Sequence, residues 1–97
     1  MANSSGYGTI NANGTVVIKS HDATVNRIIA TNPGSSWVFS VYDAATAATA
    51  VASALRWTKT LAANDAVEIN IPMQNGITVI CSSGTPGTAV VTWTRAG

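Results

Sequence analysis

The sequence predicts an all-β domain, an antiparallel β-sandwich of jelly-roll or immunoglobulin-like type with about seven to eight strands and a short polar N-terminal arm. Short segments rich in Val, Ile and Thr recur along the chain, and Gly, Pro or Asn residues separate them. Several of these segments alternate apolar with polar residues, as half-buried strands do. The 97 residues are the length of one domain, which we divide into an arm at 1–13 and a sandwich at 14–97.

The chain is apolar and nearly uncharged. Hydrophobic residues make up 46% of it, charged residues make up 9%, and the net charge is +1, whereas ordinary proteins carry about 25% charged residues. Disordered chains show the opposite balance, so the composition predicts a folded domain. Its surface must be covered by Thr, Ser, Asn and Ala, which lose water at little cost, and such a surface is suited to packing against other protein.

The first residues, "MANSSGYGTINAN", are small and polar, with Tyr7 and Ile10 as the large apolar side chains. They predict either a loosely docked terminus or an arm that becomes ordered on a neighbouring subunit. Asn13-Gly14 is a turn signal, because both residue types tolerate positive φ. A short hairpin between residues 9–12 and the first strand is therefore left open.

Seven strands follow from β-branched content and alternation. They are predicted at 15–20, 23–32, 37–43, 51–58, 66–71, 77–82 and 88–94. Turns are predicted at "NPGSS", "PMQNG" and "SGTPG", where Pro and Gly interrupt the strands. The side chains assigned to the core by alternation are Trp37, Phe39, Val41, Val67, Ile69, Ile71, Ile77, Val79, Cys81, Val91 and Trp93.

The Ala-rich segment at 44–54 is compatible with a loop, a strand or a helix. Alanine is the best helix former, but the segment has no apolar stripe at the helical period and lies between strands. We favour a loop at 44–49 followed by a strand from Val51.

No residue pattern indicates catalysis, and we expect no catalytic, cofactor-binding or metal-binding residues. His21-Asp22 predicts a solvated turn, since adjacent side chains in extended chain point apart. Cys81 alternates with core residues and is expected to be a buried structural thiol. The five cations are scattered, which argues against nucleic-acid binding, and neither a signal peptide nor a membrane span is expected.

The aromatic residues leave two alternatives open. All three tryptophans, Trp57 included, could belong to the core or half-core, as large aromatic side chains commonly do, whereas alternation places Tyr42 on the opposite face of its strand from the predicted core residues. If Trp57 and Tyr42 lie on an exposed face, they could instead stack on sugar rings or anchor a subunit contact.

Two stretches resemble small structural proteins of tailed bacteriophage virions. They are "VNRIIATN…WVFSVYDAAT" and "AVEINIPMQNGITVICSSGTPGTAVVTW". The shared pattern is a strand ending in Tyr-Asp, an Ala/Thr loop, and a later apolar strand followed by Pro, an Asn-Gly turn and "GITV" leading into "SSGT". The resemblance covers about residues 24–94. The Ala-rich 44–54 stretch and residues 1–13 depart from it.

The resemblance implies a non-enzymatic virion protein, most concretely a head-decoration (cement) protein, with the host cytoplasm as its place of synthesis. Its expected partner is the major capsid protein or another virion protein, and a homo-oligomer is expected, with a trimer favoured. Nucleic acid and membrane are not expected as partners. The candidate contact residues are Tyr7, Ile10, Tyr42 and Trp57. The alternative is a tail- or fibre-associated module that binds carbohydrate or a receptor.

Overall fold

A computed structural model describes residues 3–32, 36–62, 64–82 and 84–96, and it confirms the predicted antiparallel β-sandwich. The strands are β1 (Asn3–Ile10), β2 (Gly14–Lys19), β3 (Ala23–Asn32), β4 (Trp37–Tyr42), β5 (Leu55–Leu61), β6 (Ala66–Met73), β7 (Ile77–Ser82) and β8 (Thr88–Ala96). The turn predicted at "NPGSS" and the start of the one at "SGTPG" include positions 33–35 and 83, which lie outside the described residues.

The strands form two sheets of four. Sheet A has the order β1-β8-β3-β6, and sheet B has the order β2-β7-β4-β5. The antiparallel pairs are nested along the chain: β4 pairs with β5, β3 with β6, β2 with β7 and β1 with β8. The chain is thus one long hairpin, rolled up so that β3 also meets β8 and β4 also meets β7. This order is that of a jelly roll and differs from the immunoglobulin order.

The core lies between the sheets, and β4 shows how alternation fills it. Trp37, Phe39 and Val41 are fully buried, as predicted, while the residues between them are half-buried. The ring centroids of Trp37 and Phe39 are 4.5 Å apart and the rings are tilted, a favourable aromatic arrangement. The Trp37 indole N–H donates to Asn13 Oδ1 at 2.8 Å, so burying this polar group leaves no donor unpaired.

The other predicted core residues also face inward, to different depths. Those on β7 and the central part of β8 are fully buried: Ile77, Val79, Cys81 and Val91. Those on β6 and at the end of β8 are half-buried and packed against the core: Val67, Ile69, Ile71 and Trp93. Strand β6 is an edge of sheet A, and an edge strand covers the core from one side only.

The N-terminal segment differs from the prediction of an arm at 1–13. Residues 3–10 form β1, which pairs with β8 along its whole length and belongs to the sandwich. The hairpin left open between residues 9–12 and the first strand does not form, because β1 lies in sheet A and β2 in sheet B. The apolar–polar alternation of β1 is not visible in the sequence, because two of the inward positions of this strand are Gly6 and Gly8, which carry no apolar side chain.

The Ala-rich segment is a loop with two single turns of 3-10 helix, at Ala47–Thr49 and Ala52–Ala54. The loop predicted at 44–49 is confirmed, and it continues to residue 54. The strand begins at Leu55 instead of Val51. Within the described residues, no helix is long and apolar enough to cross a membrane.

Candidate docking surface

The outward surface of sheet A is the strongest candidate for a contact with another protein, and we call it the outer face of sheet A. In one row across it, Tyr7 lies opposite Thr92, and Thr92 lies opposite Arg27. In the next row, Thr9 lies opposite Val90. The described side chains that form it include Ser5, Tyr7, Thr9, Arg27, Ile29, Ala66, Glu68, Val90, Thr92 and Thr94.

Tyr7 protrudes from this face because of its two neighbours. Gly6 and Gly8 face inward, where the Trp93 ring and the Ile18 side chain occupy the space that their Cβ atoms would take. Residues in a strand alternate between faces, so the residue between the glycines must point outward. Tyr7 is 71% exposed, more than any other large hydrophobic side chain in the described part of the chain.

An apolar pair lies beside Tyr7 on the same face. Ile29 and Val90 are directly opposite each other in the β3–β8 ladder, and both are half-buried. Directly opposite residues in a ladder have Cβ atoms about 4.5–5.5 Å apart, so these two side chains form one apolar strip. The strip on the central strands β8 and β3 and the tyrosine on the edge strand β1 form an apolar area among hydroxyl groups.

The charges of the molecule are largely neutralised within it. On the outer face of sheet A, Arg27 Nη2 contacts Glu68 Oε1 at 2.6 Å, with both side chains about half exposed. The other carboxylates also have partners: Asp22 binds Arg95 at 3.2 Å, Asp43 accepts the Asn75 N–H at 2.8 Å, and Asp65 accepts the Ala62 N–H at 2.7 Å. The exposed pairs contribute little stability, but they leave a surface with few unpaired charges to desolvate.

The loop at 43–54 covers part of the outer surface of sheet B. The Thr78 hydroxyl, on a fully buried residue, donates to the carbonyl of Ala44 at 2.8 Å. Asp43 holds the loop to the β6–β7 turn through its bond with the Asn75 N–H. Two large apolar side chains, Val51 and Leu55, remain 52% and 37% exposed at this end of the molecule.

The four predicted contact residues do not form one site. Tyr7 points outward from sheet A, whereas Ile10 is only 1% exposed and belongs to the core. Tyr42 is half-buried in sheet B, opposite Thr78. Trp57 is half-buried and packs against the core, so the structure supports a half-core role for it. Ile10 is thus corrected from a contact residue to a core residue.

A small cleft of about 150 Å³ lies at one end of sheet A. It is lined by residues from the ends of β3, β6 and β8: Asp22, Ala23, Thr24, Pro72, Met73, Thr94 and Arg95. The ion pair between Asp22 and Arg95 lies at this cleft. Ligand pockets usually enclose about 300–1,000 Å³, so this cleft is small for an organic ligand. Local sequence patterns do not indicate it, because its residues come from distant parts of the chain.

The side chains of the types that most often bind metal ions or act in catalysis are Cys81, His21 and the carboxylates. Cys81 is 2% exposed, and burial raises the pKa of its thiol to about 12, so it stays protonated at neutral pH. Within the described residues, no three His, Cys, Asp or Glu side chains are arranged to hold a metal ion. His21 lies exposed in the connection between β2 and β3, as the predicted turn requires.

The comparisons with known proteins give no family assignment. No protein-family profile matches the chain, and no curated protein sequence matches it significantly.

Proposed function

We propose that this protein is a non-enzymatic structural component of a bacteriophage virion, a decoration protein that binds the head lattice through the outer face of sheet A. The partner is the major capsid protein, and the protein works as a homo-oligomer. The observation that carries the proposal is the combination on one face of the exposed Tyr7, the apolar strip of Ile29 and Val90, and a surround of hydroxyl groups in which the one ion pair, Arg27 with Glu68, is internally neutralised.

The energetics of this face suit a contact repeated over a lattice. Hydroxyl and aliphatic groups lose water at a smaller cost than ions do, and tyrosine supplies a large contact area with few rotatable bonds. Each contact is weak, but an oligomer that engages several lattice positions multiplies weak contacts into strong overall binding. The resemblance to virion proteins between about residues 24 and 94 supports the same role.

The alternative, a carbohydrate- or receptor-binding module of a tail or fibre, depended on an exposed platform at Trp57 and Tyr42. Both side chains are half-buried, and Trp57 packs against the core. Stacking on sugars needs an accessible ring face, so no observation on these residues favours this function over the decoration role.

The location is tested by antibody labelling of phage particles released from cells that carry the gene. Under the proposal, electron microscopy shows regular labelling of heads. Labelling confined to tails or fibres would favour the alternative, and particles without label would overturn both roles.

The docking face is tested by two matched substitutions at exposed strand positions, Thr94→Lys on sheet A and Thr58→Lys on sheet B. Each protein is mixed with heads that lack the endogenous chain and is sedimented with them. We expect Thr94→Lys to reduce the bound fraction at least tenfold, because a lysine in the contact must lose its water, and Thr58→Lys to bind as the unaltered protein does. Equal binding by all three proteins would exclude this face. A deletion of residues 1–12 is unsuitable, since it removes β1 and the buried Ile10.

A further inference from the structure

Strand β1 is an edge of sheet A, and its free edge is open to another strand. Its residues pair with β8 on one side, in a register that is continuous from Asn3 to Ile10. Each residue of a strand has its backbone N–H and C=O groups directed to one side or the other, so about half of those in β1 face away from β8. An exposed row of such groups is a template for pairing with another strand.

The other three edge strands carry features that protect against such pairing. Strand β6 has Glu68 and Pro72, and Asn70 has a φ of 54°. Strand β2 has a register shift before Lys19, and β5 carries Arg56 and Lys59. Charge, proline and irregularity are the usual means by which an edge is blocked. Among the strands described, β1 alone has an edge that is uncharged, continuous and free of proline.

The central part of the β1 sequence, residues 5–9, is also nearly the same in both directions. Residues 5–9 are Ser-Gly-Tyr-Gly-Thr, which is symmetric about Tyr7 if the two hydroxyl residues are equated. In an antiparallel pair of two copies centred on Tyr7, Gly6 meets Gly8 of the second copy, and Ser5 meets Thr9 of the second copy. Tyr7 then meets Tyr7 of the second copy. Every pair within residues 5–9 is chemically compatible, so this segment of the strand is complementary to itself.

We propose that two copies of this protein join edge to edge through β1, antiparallel and about a two-fold axis at Tyr7, so that their A sheets form one continuous eight-stranded sheet. A two-fold contact uses the same surface patch on both copies, and the symmetric segment at 5–9 meets that requirement. The two Tyr7 side chains lie across the axis on the outer face of sheet A, as a cross-strand aromatic pair.

The glycines adapt the strand to this contact as well as to its own core. Gly6 and Gly8 place no side chain on the inner side of the edge, where the Trp93 ring and Ile18 already fill the space. Pairing with a second copy at the usual strand spacing of about 4.8 Å therefore requires no inner side chain of Gly6 or Gly8 to be accommodated. The inference specifies the homo-oligomer of the proposed function, whereas the contact with the head is tested separately by the Thr94→Lys variant.

The first experiment measures the molar mass of the purified chain by sedimentation equilibrium over a wide concentration range. We expect a dimer, with twice the chain mass of 9.9 kDa. A monomer at all concentrations would overturn the proposal. A trimer, which the resemblance to virion proteins favours, would also overturn it, because a strand pairs with only one other strand at its free edge.

A charge-swap pair at the axis tests the contact itself. Tyr7→Lys places like charges directly opposite each other in the ladder, which weakens pairing, and Tyr7→Glu does the same with the other sign. We expect each variant alone to raise the dimer dissociation constant at least tenfold, and an equimolar mixture of the two to restore dimers. Because the Tyr7 side chain is largely exposed, we expect both variants to have the same melting temperature as the unaltered protein when all three are measured as monomers at low concentration. Dimers that persist in each single variant would refute a contact at β1.

Cross-linking tests the register and does not depend on the charge variants. With the axis at Tyr7, Tyr7→Cys brings two thiols opposite each other, within the Cα separation of about 7 Å that a disulfide allows. Ser5→Cys is the matched control, because its two introduced thiols would be offset by four positions, about 13 Å along the strands. We expect Tyr7→Cys to form a disulfide-linked dimer at least tenfold faster than Ser5→Cys. Equal rates of cross-linking would contradict the register. The buried Cys81 is present in both variants, so it cannot account for a difference between them.

Discussion

Because Gly6 and Gly8 have no side chain, β1 can pack closely over the Trp93 ring and the Ile18 side chain at the edge of sheet A. A Cβ atom on Gly6 would lie 2.6 Å from Trp93 Cζ2, and one on Gly8 would lie 2.6 Å from Ile18 Cδ1. The two obstacles differ in stiffness. The Ile18 methyl group can rotate away, whereas the indole of Trp93 is a rigid ring with the Lys19 ammonium 4.3 Å from its centroid.

The difference in stiffness predicts unequal costs for two identical substitutions. Gly6→Ala should lower the free energy of unfolding by about 1–3 kcal/mol, the usual range for an overpacked core, and Gly8→Ala should lower it less. Urea unfolding followed by tryptophan fluorescence measures both. An equal loss in the two variants would show that the Trp93 ring is not the obstacle. A matched substitution at an exposed position of the same strand, Thr9→Ala, controls for the strand itself.

The thiol of Cys81 predicts a loss of stability at high pH. Its pKa rises from 9.0 to about 12 on burial. Well below pH 9 both states keep the proton, so the thiol adds no pH dependence there. Between pH 9 and 12 the unfolded chain loses this proton first, which favours unfolding, and the free energy of unfolding should fall by up to about 1.4 kcal/mol per pH unit.

The contribution of Cys81 is isolated by comparison with Cys81→Ala. Both proteins are unfolded with urea at about pH 8 and about pH 10.5. The comparison with the variant is needed because other groups titrate in the same pH range. The unaltered protein should lose more stability between the two pH values than the variant does. The same loss in both would mean that this thiol is not protected in the folded state.

At the scale of elements, the loop at 43–54 depends on its contact with β7. Thr78 donates its hydroxyl proton to the carbonyl of Ala44 inside the protein. Thr78→Val keeps the shape of the side chain but leaves this buried carbonyl without its donor, which costs about 1–3 kcal/mol. We expect the variant to be less stable by that amount and to exchange the Asp43 N–H faster, since that group bonds to Ala54 across the base of the loop.

The control for this prediction is Thr58→Val on β5. Thr58 is exposed, and its hydroxyl is 3.1 Å from that of Ser40, where water can replace the lost group. Its stability should change by less than about 0.5 kcal/mol, as for most surface substitutions. If Thr78→Val is equally mild, or if exchange of the Asp43 N–H is unchanged, the hydroxyl does not hold the loop.

The individual strands show which parts of the fold could be predicted from the sequence. Strands β4 and β7 were predicted because apolar side chains occupy every inward position. Strand β1 was missed because glycines fill two of its inward positions, and their purpose depends on Trp93, which is far away in the chain. The strand start at Leu55 was missed because alanine and valine before it are compatible with both turn and strand. Local pattern carries no information on such distant contacts.

At the scale of the whole molecule, the arrangement of faces depends on strand order, which local patterns do not encode. Tyr7 and Ile10 are close in sequence and lie on opposite sides of β1, so only one of them can contact a partner. Tyr42 belongs to the other sheet. The aromatic and apolar character of these candidates was visible in the sequence, but the face that each occupies follows from which strands become neighbours.

The nested pairing also predicts the order of folding. Strands β4 and β5 are joined by the loop at 43–54, whereas β1 and β8 come from opposite ends of the chain. The entropic cost of closing a loop grows with its length, so the hairpin should form from its tip, with β1 added last. Domains dominated by such distant pairings fold in milliseconds to seconds.

Two core substitutions test this order through stopped-flow folding and unfolding rates. Val41→Ala, near the tip, should slow folding, because its contacts are formed in the transition state. Ile10→Val removes one buried methylene at a cost of about 0.5–1.5 kcal/mol, and it should act mainly by speeding unfolding, since contacts absent from the transition state affect that rate. Both residues are fully buried, with exposures of 0% and 1%, so burial does not distinguish them. Slower folding in Ile10→Val with unchanged unfolding would place β1 in the nucleus and reverse the proposed order.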